Sequence, residues 1–181
     1  MAINSCVLMM FIWLVAAMPW SKGFKIQNLA QKENTTNLQF YFHDKLSGKN
    51  PSAVRVAQAA DTDKSPTLFG MVMMADDPLT ETPDPNSKLV GRAQGLYGSA
   101  GQKELGLIMA MNFEFLDGTL YRGSSISIFG KNPAMHPERE MPIVGGTGIF
   151  RLARGYAIAK THWYDPITGD AIVGYNVTLV Y

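Results

Sequence analysis

The sequence predicts an all-β domain of eight short strands closed into a barrel, with an interior sized for side chains or one small ligand. Three observations carry this expectation. Apolar residues recur at every second position in several segments, turn signals separate those segments, and no stripe at helical spacing persists for long. Leu38, Phe40 and Phe42 alternate with Gln39, Tyr41 and His43 in the first strand. Segments at 53–60, 67–76 and 87–98 follow, and then Leu105, Leu107, Met109, Met111, Phe113 and Phe115 form one continuous apolar face. Segments at 118–129 and 149–161 precede a last face of Val173, Tyr175, Val177, Leu179 and Tyr181. Asp117-Gly118 is a tight hairpin signal, and DPITGD at 165–170 is a second. A two-sheet sandwich is the competing architecture; the count of eight favours closure.

The amino end sets the compartment. Residues 6–19, CVLMMFIWLVAAMP, form an uncharged apolar run too short to span a bilayer comfortably, with Ala16 and Ala17 near its end. This reads as a secretory signal peptide over residues 1–21, followed by a flexible segment over 22–36 and the barrel domain over 37–181. No Lys or Arg precedes the run, so a short membrane anchor is the alternative. Cys6, the only cysteine, lies inside it, and the secreted domain would hold together without a disulfide. In that compartment Asn34-Thr35-Thr36 and Asn176-Val177-Thr178 are glycosylation acceptors, whereas Asn50 is excluded by Pro51. The net charge of +1, with no basic block, argues against nucleic acid as a partner.

The glycines of MPIVGGTGIFRLARG (141–155) suggest a phosphate loop, but no helix opens after them and no Lys-Ser or Lys-Thr follows. Gly145, Gly146 and Gly148 read as a turn needing positive φ, with a strand after it. His43 shares the outward parity of Gln39 and Tyr41, His162 is near a strand end and His136 lies in a loop. No spacing among them suggests metal ligands, and surface histidines are the expectation. Parity puts Asp44 on the same face as Leu38, Phe40 and Phe42, at an apolar barrel mouth where desolvation would raise its pKa and make it a general acid. Equally, Asp44 could cap the turn into Leu46-Ser47-Gly48. Arg139 is either a loop charge or a cation at the pocket rim.

FYFHD (40–44), GRAQGLY (91–97) and REMPIVGGTGIFRLARGYA (139–157), in that order, resemble plant dirigent proteins, and the resemblance spans residues 38–181. It implies a secreted, apoplastic, eight-stranded antiparallel barrel, akin to allene oxide cyclases and lipocalin-like in shape. Homotrimers are the implied assembly, with a dimer as the alternative. Each cavity would hold a phenolic small molecule and dictate the stereochemistry of its radical or quinone methide. No cofactor is implied: a separate oxidase such as a laccase or peroxidase makes the radicals. The resemblance assigns catalytic roles to Asp44, Tyr97 and Arg139. Where lignan-forming members carry a second aromatic and a second aspartate, this chain has Ser99 and Asn132, and it lacks their cysteine pair. Ser99, Asn132, Phe42 and His136 are the expected substrate contacts. The implied function is stereoselective phenoxy-radical coupling in lignan-type metabolism. The alternatives are a cyclase similar to pterocarpan-forming members, which dehydrates an isoflavanol through a quinone methide, and a phenol carrier without chemistry.

Overall fold

The computed structural model describes residues 33–116 and 118–181; the expected signal peptide and most of the expected flexible segment lie outside the described residues. The described chain is built from nine antiparallel strands: β1 (Thr35–Asp44), β2 (Ala53–Ala57), β3 (Val72–Thr80), β4 (Leu89–Ser99), β5 (Gly106–Phe115), β6 (Ser125–Pro133), β7 (Arg139–Thr147), β8 (Arg154–Tyr164) and β9 (Ala171–Val180). They run in the order β1-β9-β8-β7-β6-β5-β4-β3-β2, and β1 also pairs with β3. The ring is therefore β1 and β3 to β9, an eight-stranded closed barrel, with β2 laid along β3 as a short flap.

The expected number of strands is present, with one exchange of membership. Residues 53–60 were to be a barrel strand, yet only β2 forms there and it stays outside the ring. Residues 139–147 were to be loop and glycine turn, yet they form β7, paired with both β6 and β8. Arg139, Met141 and Ile143 point inward and are buried, with Glu140, Pro142 and Val144 between them: the period-two pattern is there, masked by charged and glycine residues. β1 also begins at Thr35, inside the segment expected to be flexible, because Thr35 pairs with Val180 of β9. The β5–β6 connection spans 116–124 rather than a two-residue turn, and Asp117 lies outside the described residues. The second hairpin forms as expected: Gly169, with φ of 83°, donates to the Asp165 carbonyl at 2.8 Å.

The barrel is stoppered at one end. Phe40, Phe113, Phe115 and Leu179, from the middle of β1 and the C-terminal halves of β5 and β9, fill that end, with Phe40 edge-on to Phe113 at 5.5 Å. A single 3₁₀ turn over Gly148–Phe150 inserts Phe150, fully buried, against Phe115, Tyr121 and Tyr181 at 5.0 to 5.8 Å between ring centroids. This is what the glycine cluster is for. Gly148 takes φ of 62°, and a Cβ on Gly146 would lie 2.5 Å from the Phe150 carbonyl, so these positions let the turn fold tightly onto the barrel end. Gly145 and Gly146 lie in β7 and do not need positive φ. At the opposite end no such plug exists among the described residues, and the interior opens there.

Candidate functional site

The open end holds a cavity of about 840 Å³. Its walls are the C-terminal ends of β1, β4, β6 and β8 and the N-terminal ends of β3, β5, β7 and β9, which antiparallel pairing brings to the same rim. Phe42, Met73, Met109 and Val173 make the lining largely apolar, and a few polar groups converge on it. Asp44 lies at the end of β1, and Tyr97 of β4 donates its hydroxyl to Asp44 Oδ2 at 2.8 Å. Burial pushes the Asp44 carboxyl up to about 6; the Tyr97 hydrogen bond pulls it back, and the charge of Asp170 adds to the rise. The same burial and the nearby Asp44 carboxylate keep the Tyr97 phenol far above its ordinary range, so Tyr97 is a fixed donor.

The alternative role for Asp44 belongs to another residue. Asp170 Oδ1 accepts from the backbone N–H groups of Leu46 and Ser47 at 2.8 and 3.0 Å, and its Oδ2 accepts from the Ser47 hydroxyl at 2.6 Å. The turn after β1 is thus capped from across the β8–β9 hairpin, and Asp44 is left to the cavity.

Arg139 is not a loop charge. It opens β7 and is 3% exposed, three strands round the ring from β1. Its Nε donates to Asn132 Oδ1 at 3.1 Å, and one terminal nitrogen donates to Thr161 Oγ1 at 2.7 Å and the His136 carbonyl at 3.2 Å. These acceptors are all neutral. Burial lowers the guanidinium pKa, while the Tyr175 phenol nearby favours its charge. Asn132 turns its amide nitrogen toward the Met109 sulfur at 3.7 Å, so both of its ends are engaged. His136 is on the rim, with its ring 3.6 Å from Glu104, which also pairs with Lys131.

Of the expected contacts, Phe42, Asp44, Tyr97, Asn132, His136 and Arg139 line the cavity together. Ser99 does not. It is buried, and its hydroxyl donates to the Thr67 carbonyl at 2.6 Å, pinning the β2–β3 loop that places Leu68 in the cavity wall with φ of 53°. A serine one strand-step beyond an inward Tyr97 shares its parity, but the strand has passed the cavity by then. His43 differs too: the outward parity is correct, yet the ring is buried against Thr80, 2.6 Å from its Oγ1, and burial lowers its pKa. Asn34 and Asn176 are both exposed on the outside of the barrel. The sequence reading missed Thr161 and Asp77. Thr161 shares the inward parity of Ala157 and Ala159 and lies just before the register shift between Thr161 and Trp163, so that parity was the signal that could have found it. Asp77 is fully buried on β3, and its parity with Met73, Ala75 and Leu79 was the signal that could have found it.

Three comparisons bear on this site. The family model for Dirigent-like protein matches residues 35–180. Dirigent protein 23 of Arabidopsis thaliana is 62% identical over 188 residues, covering the whole of both chains. Pterocarpan synthase 1 of Glycyrrhiza echinata is 51% identical over 148 residues, 81% of this chain and 78% of the relative. Among solved structures, the pterocarpan synthase dirigent protein GePTS1 superposes with a TM-score of 0.78 at 49% identity, over 84% of this chain and 87% of its own. A barrel open at one end, an acid held by a tyrosine, a buried arginine opposite it and matches of this extent agree: the chain belongs to the dirigent family.

Proposed function

We propose that the cavity governs the stereochemistry of a phenolic quinone methide, with Asp44 as general acid. One observation carries this reading: a carboxyl with raised proton affinity, fixed by Tyr97, stands in an apolar chamber large enough for a polycyclic phenol. A benzylic hydroxyl takes the Asp44 proton and leaves as water while the conjugated phenol O–H gives up its own proton. The quinone methide so formed accepts a neighbouring phenol oxygen, whose proton restores the first phenol, and the proton released earlier restores Asp44. Arg139 supplies donors for the oxygen that gains negative charge, with no carboxylate partner in its hydrogen bonds to blunt it. Held in one orientation, the methide presents one face, and a difference of about 2 to 3 kcal/mol between the two additions gives roughly hundredfold selectivity. Asn132, where lignan-forming dirigent proteins have a second acid by the resemblance, and the similarity to pterocarpan synthases favour dehydration and ring closure over oxidative coupling.

The test has two arms. The protein is incubated with a racemic isoflavanol and no oxidant, then separately with coniferyl alcohol and a one-electron oxidant, and products are resolved by chiral chromatography. Stereoselective turnover in the first arm is the expected result. Enantiomeric excess in the second arm alone would replace it with the radical-coupling role, and retention of phenol without conversion in either would leave a carrier. The same reading includes secretion to the apoplast, glycosylation of Asn34 and Asn176, and a homotrimer. In support of assembly, Val54, Met74, Leu96, Ala110 and Phe129 stand in one cross-strand row on the outside of β2 to β6, and four of them are exposed.

A further inference from the structure

We infer that Asp77 is a positioning residue for Asp44, the two carboxyls holding one exchangeable proton between them across the barrel's closing seam. This rests on the acid role given to Asp44 above and adds a partner to it. The seam is the β1–β3 contact, where Tyr41 pairs with Thr80 and Phe42 with Leu79. Carried two residues on, that register sets Asp44 opposite Asp77. Pairing stops where Pro78, which has no N–H, comes opposite His43. Beyond that point the strands part around Ser52, whose N–H donates to the Lys45 carbonyl at 2.8 Å and whose carbonyl accepts from Asp76 N–H at 2.9 Å. The two carboxyls thus face the gap between β1 and β3 on the interior side.

Their oxygens are unsatisfied in a way no other group shares. Among the described residues, the buried side-chain polar atoms without a hydrogen-bond partner are Asp44 Oδ1 and both oxygens of Asp77. Asp44 Oδ2 is taken by Tyr97, so the orphaned oxygen is the one left for Asp77. The Ser52 hydroxyl lies close enough to lower the Asp77 pKa but is directed at the His43 carbonyl, 3.4 Å away. Leaving three buried oxygens unpaired is costly. A single proton, shared directly or through one internal water, satisfies the facing pair. Two ionised carboxylates could not sit there together.

The surrounding charges agree. Burial raises Asp77 to about 8, with the Asp44 carboxylate adding to the rise, Asp76 adding a little, and Ser52 and Arg92 opposing it. Facing Asp44 are Tyr97 from β4, Tyr175 from β9 and Asp170 from the turn before β9; the two phenols stay neutral, and Asp170 raises the carboxyl further. Both inflections accordingly belong to the pair rather than to either residue. Asp77, out of the cavity lining, would fix the Asp44 carboxyl so that Oδ2 stays on Tyr97.

Carbon-13 NMR of the aspartate side-chain carboxyls in the ligand-free full domain tests this without any substrate. In the wild type, the Asp44 and Asp77 signals should each move in two steps at common pH values, and Asp77 should carry its proton at neutral pH. In Asp77→Asn, whose amide can still donate to Oδ1, the upper step should vanish and Asp44 should titrate once, at lower pH than before. Asp44→Asn should leave Asp77 with one step, also moved down, which keeps the result readable if Asp77→Asn folds poorly. An Asp44 signal with a single step in the wild type that Asp77→Asn leaves unmoved, or an Asp77 already ionised at neutral pH, would overturn the pair. Coupled titration without turnover of any phenol would instead retain the pair and remove the acid role.

Discussion

At Asp44 the isosteric change separates chemistry from folding. Asp44→Asn keeps an acceptor for the Tyr97 hydroxyl and loses the transferable proton, so stereoselective turnover should fall by about 10² to 10⁴ while the melting temperature stays close to that of the wild type. Asp170→Ala should do the reverse. It frees two backbone donors and a hydroxyl in the turn after β1, and thermal denaturation should show a loss of about 1 kcal/mol. If Asp44→Ala rather than Asp170→Ala released that turn, the assignment of the cap would be wrong. Parity made Asp44 legible in the sequence because its neighbours Phe40 and Phe42 mark the inward face so strongly. Asp77 has the same parity relation to Met73 and Ala75, but with Asp76 beside it in ADDP it looks like turn chemistry, and only the β1–β3 register brings it to Asp44.

Among the elements, β7 shows where pattern reading fails. A strand was hidden in REMPIVGGT because its inward residues include Arg139, and a buried arginine is legible only once its acceptors are known. Close approach between strands is equally invisible in sequence. Gly155 of β8 has φ of 154°, and a Cβ there would lie 1.9 Å from the Thr178 carbonyl of β9. Gly155→Ala should therefore destabilise the barrel by about 2 kcal/mol or more, measured by denaturant unfolding, although the residue does not line the cavity. Ser99→Ala removes the anchor of the loop carrying Leu68 and leaves the Thr67 carbonyl buried without it. The cost to stability should be about 1 kcal/mol, and the effect on turnover should fall on KM more than on kcat, because Leu68 shapes the wall and takes no part in proton transfer.

For the molecule as a whole, the two raised carboxyls tie stability to pH. The folded state holds their protons more tightly than the unfolded chain does, so this stabilisation is complete below the ordinary aspartate pKa and is lost as pH rises through about 6 and then about 8. The melting temperature should decline across that interval, and Asp77→Asn should flatten its upper part. Light scattering should give three copies, and Phe129→Glu, placed in the outer apolar row, should shift the mass toward the monomer without altering the far-ultraviolet spectrum. The Phe150 stopper governs traffic as well as packing. A vessel with one mouth empties by the way it fills, so whatever enters first lies deepest and departs last, and a second molecule can only queue above it. If the proposed reaction runs in this barrel, product must clear the entrance before another turnover begins, and competitive inhibition by product is the expected kinetic signature.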